Sequence, residues 1–164
     1  MPKYAQKIAT LLVTACICLL QINSHAQSVS FPEINITQAN GEKFTTPQIP
    51  NGKQIALIYF SPECEHCQVF MKSFFEHAKS FDDVFVLMIT YLPIDRLVKF
   101  SGEYRVADYP NIVAGTEGMA FLVRDFFKID NIPFVATYNK DGKLISTYDG
   151  NASIEKVKKD LNIK

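Results

Sequence analysis

An apolar run, Ile55-Ala56-Leu57-Ile58-Tyr59-Phe60, leads directly into Ser61-Pro62-Glu63-Cys64-Glu65-His66-Cys67. A continuous apolar run is how a strand covered on both faces reads. Past the cysteines, Cys67, Phe70, Phe74 and Ala78 recur at spacings of three and four, with Met71 and Phe75 widening the stripe, so a helix is expected from Cys64 to about Ser80. A buried strand feeding a helix whose first turn carries Cys-x-x-Cys admits few folds and a narrow chemistry. The unpaired N–H groups and partial positive charge of a helix N-terminus favour an anion. The thiolate of Cys64 is such an anion, which makes Cys64 the expected attacking thiol. Cys67 lies one turn further in, facing the core, and is expected to resolve the mixed disulfide. His66, as a cation, would stabilise the Cys64 thiolate, while Glu63 and Glu65 would oppose it; the sequence alone does not give the sum.

Other features narrow the context. The chain has 164 residues, one domain's worth, with 48% hydrophobic and 21% charged residues, which excludes a disordered protein. Seventeen basic residues against 17 acidic ones argue against a nucleic-acid binder, which shows a basic excess. Lys3 and Lys7, the apolar run Ile8 to Ile22 and the small residues Ser24 and Ala26 read as a cleavable signal peptide over residues 1–26, with residues 27–164 as the mature domain. Two alternatives are an uncleaved anchor and a membrane-anchored lipoprotein through Cys16, since Val13-Thr14-Ala15-Cys16 resembles a lipobox. Cleavage would also remove Cys16 and Cys18, leaving Cys64 and Cys67 as the sole pair in an oxidising compartment, the periplasm.

Along the rest of the chain, a hairpin is expected around Asn40-Gly41, between Ile34-Asn35-Ile36 and Lys43-Phe44-Thr45. Further strands are expected at Val84 to Thr90, Ile112 to Ala114, Ile132 to Tyr138 and Leu144 to Tyr148. Helices are expected from Pro93 to Phe100 with Ile94, Leu97 and Val98 on one face, from Glu117 to Phe127 capped by Thr116, and after Ser153 with Ile154, Val157 and Leu161 inward. The class is α/β, with a mixed central sheet flanked by helices. No metal site is expected, because a structural zinc needs four ligands at matching spacing and a c-type haem needs His where Gln68 stands.

These residues together resemble the thioredoxin superfamily. Tyr59 to Cys67 resembles its active-site segment, Ile132-Pro133 its cis-proline loop, Asn139 to Gly142 its hairpin turn, and Ser153 to Asn162 its last helix. Cys64 and Pro133 lie 69 positions apart, longer than a minimal thioredoxin, and the extra length falls around Pro93 to Gly115. An N-terminal hairpin plus a central insertion there resembles the exported TlpA/ResA-like thiol–disulfide oxidoreductases. The resemblance implies a cis Pro133 against the cysteine pair and substrate binding through Ile132 and Pro133. It implies no cofactor, partners among exported protein thiols and disulfides, a membrane thiol–disulfide electron donor, and a monomer. It also marks two departures. Ile58 stands where thioredoxins bury an acid, and Phe70 where ResA-like proteins carry a glutamate, so Glu63, Glu65, His66 or water must move the Cys67 proton. The expected activity is reduction of exported protein disulfides. A disulfide oxidase or isomerase, or a non-enzymatic copper-binding protein, remains an alternative. Tyr91, Phe100 and Tyr109 in the insertion are candidates for a partner groove or for the core.

Overall fold

The computed structural model describes residues 31–164; the expected signal peptide and Cys16 lie outside them. Seven strands form one sheet in the order β2-β1-β5-β4-β3-β6-β7. They are β1 (Asn35–Gln38), β2 (Lys43–Thr45), β3 (Gln54–Tyr59), β4 (Val84–Thr90), β5 (Ile112–Thr116), β6 (Phe134–Tyr138) and β7 (Leu144–Asp149). The centre is parallel: β3 pairs with β4, and β4 with β5. The remaining pairings are antiparallel, so the sheet is mixed as expected. Four helices accompany it among the described residues: α1 (Glu65–Glu76), α2 (Ile94–Glu103), α3 (Leu122–Phe127) and α4 (Ile154–Asp160).

Alternation along β3 and β4 builds two cores. Ala56 and Ile58 with Val84, Val86 and Met88 face α1, α2 and α4. Ile55, Leu57 and Tyr59 with Phe85, Leu87 and Ile89 face the other side, where Ile36 and Phe44 of the hairpin and Val123 of α3 cover them. This is the period-two geometry of a strand with both faces buried, and it explains why these strands read as unbroken apolar runs. The hairpin turns at Gly41, whose φ of 86° suits glycine. It docks on β5 through Gly115, where a Cβ would stand 2.5 Å from Ile36 Cδ1.

Three expectations are corrected. The first helix stops at Glu76, because His77 leaves helical geometry with its N–H on Phe74 O and its ring Nδ1 2.9 Å from Ser73 O. Ala78–Phe81 is a separate 3-10 turn. In α2, Leu97 and Phe100 are buried, while Ile94 and Val98 are 40% and 48% exposed. The helix is rotated by aromatic packing, with Phe100 on Phe60 at 4.6 Å and Tyr104 stacked on Phe75 at 4.5 Å. Finally, no helix begins at Glu117. Thr116 ends β5, donating its hydroxyl to Leu92 O at 2.6 Å, a 3-10 turn covers Gly118–Ala120, and α3 starts only at Leu122 between the left-handed residues Phe121 and Lys128. No helix among the described residues is long and apolar enough to cross a membrane.

Candidate active site

The C-terminal ends of β3, β4 and β5 point to one edge of the sheet, and the start of β6 lies at the same edge. The loop after β3 is short and tied to itself. Ser61 is buried; its carbonyl accepts the Cys64 N–H at 3.1 Å and its hydroxyl accepts the Glu63 N–H at 3.2 Å. Gln68 reaches back, donating Nε2 to Pro62 O at 2.8 Å. Cys64 is the N-cap of α1: its backbone is extended, and its carbonyl accepts the Gln68 N–H at 2.9 Å. Its side chain makes no capping bond, so the sulfur is not committed to the helix it opens.

Both cysteines are free thiols, and their environments differ. Cys64 is half-buried, with Sγ 4.0 Å from the Ile132 carbonyl oxygen. Cys67 is fully buried against Phe70, Met71 and the β-sheet core. Burial pushes its thiol up to about 12, the neighbouring Cys64 adds to the rise, and a hydrogen bond to the Ser61 backbone offsets part of it. One thiol is therefore presented at the surface and the other held protonated behind it.

The Ile132–Pro133 peptide is cis. Pro133 is buried and Ile132 half-buried, bridging the two cores. The far end of β7 holds this loop. Asp149 Oδ1 accepts the Asn131 N–H at 2.7 Å, and the Gly150 N–H bonds Pro133 O at 3.2 Å. A Cβ on Gly150 would stand 2.7 Å from Asn131 Cβ.

The charged residues around the pair separate. Glu63 is paired with Arg96 of α2 at 3.2 Å, both about half exposed. Glu65 and His66 are exposed on the first turn of α1. No group of three His, Cys, Asp or Glu side chains that could hold a metal occurs among the described residues. Of the aromatic candidates, Phe100 is in the core beside the site, Tyr109 packs on Phe75, and Tyr91 stacks on Tyr59 on the opposite face.

The structure also buries a carboxylate just past β5, where the sequence predicts a helix start. Glu117 is 8% exposed, accepting the Tyr59 hydroxyl at 2.6 Å and the Val123 N–H at 2.9 Å. Burial and this bond raise Tyr59 well above the ordinary tyrosine range, so the phenol stays a neutral donor. Tyr59 lies in the core on the far side of the sheet from Cys67, so this carboxylate does not replace the acid absent at Ile58.

No family model matches the chain, and no curated protein matches it in sequence. Solved structures do match. The exposed lipoprotein thioredoxin Etrx1 of Streptococcus pneumoniae superposes with a TM-score of 0.60 at 19% identity, over 79% of this chain and 98% of that one. A secreted Mycobacterium tuberculosis disulfide oxidoreductase homologous to E. coli DsbE gives 0.66 at 15%, over 84% and 99%. The chain has a thioredoxin-like fold. The peroxidoxin BcpB of M. tuberculosis matches equally well, at 0.67 and 13% identity over 81% and 94%, so a thioredoxin-like fold alone does not select the chemistry. Within a thioredoxin-like fold, that selection rests on the residues at the sheet edge: two thiols one helical turn apart facing a cis-proline loop.

Proposed function

We propose that the protein is an exported thiol–disulfide oxidoreductase of the TlpA/ResA-like kind, working as a reductant of protein disulfides. The observation that carries this is the pairing of a half-exposed Cys64, 4.0 Å from the Ile132 carbonyl, with a buried Cys67 directly behind it. The Cys64 thiolate attacks a substrate disulfide, forming a mixed disulfide and releasing one substrate thiolate. Cys67 then attacks Cys64 Sγ, its proton passing to the released thiolate, to water or to a nearby group among Glu63, Glu65 and His66. The second substrate thiol leaves, and Cys64–Cys67 becomes the disulfide. Two electrons have moved to the substrate, and a dithiol donor at the membrane returns them. Ile132 and Pro133 orient the substrate strand, with the Ile132 backbone as its partner.

Reduction is the direction we assign to the pair. A strongly oxidising pair stabilises its reduced form as a thiolate. Burial here works against a second thiolate, holding Cys67 protonated at neutral pH. His66 is exposed on the first turn of α1 and so places no buried, fixed positive charge beside Cys64. Export to the periplasm through residues 1–26 and action as a monomer complete the reading.

Insulin reduction by dithiothreitol tests the chemistry. The protein is expected to accelerate it, Cys64→Ser to lose the acceleration entirely, and Cys67→Ser to accumulate a mixed disulfide at Cys64 visible by mass spectrometry. Acceleration that survives Cys64→Ser contradicts the assignment.

A further inference from the structure

We propose that the groove between α1 and α2 is a second substrate subsite, which takes an acidic, apolar stretch of the substrate polypeptide adjoining the disulfide that Cys64 attacks. This rests on the oxidoreductase reading above and extends it to substrate preference. The groove encloses about 470 Å³, within the ~300–1,000 Å³ usual for ligand sites. It begins at the reactive loop, where Pro62, Glu63 and Cys67 line it, and runs between the helices. Its floor is apolar, made by Phe60, Met71 and Phe100, with Tyr104 further along. On the α1 rim Val69 is 72% exposed, an apolar side chain left uncovered beside the thiols.

The charge on the walls selects the occupant. Lys72 on α1 and Lys99 on α2 line the groove from opposite helices. Neither has a carboxylate within ion-pair distance among the described residues. Arg96 also lines it but is held by Glu63 at 3.2 Å and Asp95 at 3.5 Å. Glu103, the remaining carboxylate of the lining, is the last residue of α2, away from the loop end where Arg96 pairs with Glu63. Two exposed lysines without ion-pair partners, one from each helix, offer their ammonium groups to carboxylates of an occupant. A segment carrying a large apolar side chain for the floor and carboxylates for the lysines satisfies both features. The wall with Lys99 comes from the central insertion, so this preference is built by the part of the chain that a minimal fold of this type lacks. The substrate then crosses the active site, pairing with Ile132 on one side of its cysteine and entering the groove on the other.

The test uses two peptides of equal length, each a mixed disulfide with mercaptoethanol, with the cysteine followed by Leu-Glu-Glu in one and Leu-Lys-Lys in the other. Their rates of reduction by the pre-reduced protein are each divided by the rate with dithiothreitol, which removes intrinsic differences in the disulfides. The acidic peptide is expected to react about threefold to tenfold faster at low salt, the size expected of two exposed ion pairs. The preference should fade in 0.5 M salt and invert in a Lys72→Glu/Lys99→Glu double variant. A ratio of one, or a preference the double variant retains, overturns the subsite. Hydroxyethyl disulfide separates the two readings, because failure to reduce it sinks the oxidoreductase assignment itself. In that event fluorescence anisotropy of the labelled acidic peptide, its cysteine replaced by serine, decides the groove. Binding that the double variant loses supports it, and no binding overturns it.

Discussion

Two strand-to-helix junctions at the same edge of the sheet, separated by β4, are built in opposite ways. Where β3 meets α1, the chain leaves a buried strand, makes a short loop and opens a twelve-residue helix with an uncommitted, half-exposed thiol at its cap. Where β5 meets α3, the chain turns inward, buries Glu117 and spends both carboxylate oxygens on Tyr59 and Val123 before a six-residue helix begins. The first junction leaves its polar atom free to react. The second leaves none, and ties the segment leading to the cis-proline loop onto β3. In the proposed mechanism, reactivity comes from a thiol the helix cap leaves free, and rigidity from a carboxylate whose bonds are all made.

Mutations should separate the two roles. Cys64→Ser is expected to give the largest effect, complete loss of disulfide exchange with stability changed by less than about 0.5 kcal/mol in urea melts. Glu117→Leu should do the reverse, costing about 2–4 kcal/mol by leaving the Tyr59 hydroxyl and Val123 N–H unpaired, while the folded fraction retains exchange. Glu117→Gln keeps one acceptor and should cost about half as much. If Glu117→Leu abolishes exchange in protein shown to be folded, the division of roles is wrong.

A pH series sharpens the contrast at Cys67. Its folded-state value, raised by burial from 9.0 to about 12, lies above that of the unfolded chain. The unfolded chain therefore gives up this proton first as pH rises. The contribution is complete below about pH 8.5 and is lost as pH climbs toward 12. Comparing Cys64→Ser with Cys64→Ser/Cys67→Ala cancels the tyrosines common to both, and the protein retaining Cys67 should lose more stability between pH 8 and 10.5. Parallel profiles would contradict the buried, protonated thiol. The smallest effect is expected of Arg96→Ala, which removes a half-exposed pair with Glu63 and should lower the unfolding free energy from urea melts by no more than about 1 kcal/mol.

The same contrast explains what the sequence revealed. The β3–α1 junction is local: an apolar run, a stripe at spacings of three and four, and two cysteines within one turn, all readable from neighbours in the chain. The hairpin at Asn40-Gly41 and the cap at Ser153, whose hydroxyl accepts the Lys156 N–H at 3.4 Å, are local in the same sense. The β5–α3 junction is not. Glu117 finds Tyr59 58 positions away, and nothing in the order of residues from Thr116 to Phe127 distinguishes a helix there from a tied-down turn. The orientation of α2 was likewise hidden. Ile94, Leu97 and Val98 share a face, but Phe75 on another helix draws Phe100 and Tyr104 inward instead. Gly115 and Gly150 owe their identity to Ile36 and Asn131, contacts that a single sequence does not display.

The reduction potential of the Cys64–Cys67 pair, measured by equilibrating the protein in dithiothreitol and glutathione buffers, tests the central claim most directly. The proposed role as a reductant predicts a value near that of thioredoxin, about −270 mV. A value near about −120 mV, that of the oxidant DsbA, or a pair that forms no disulfide in any buffer, would contradict it.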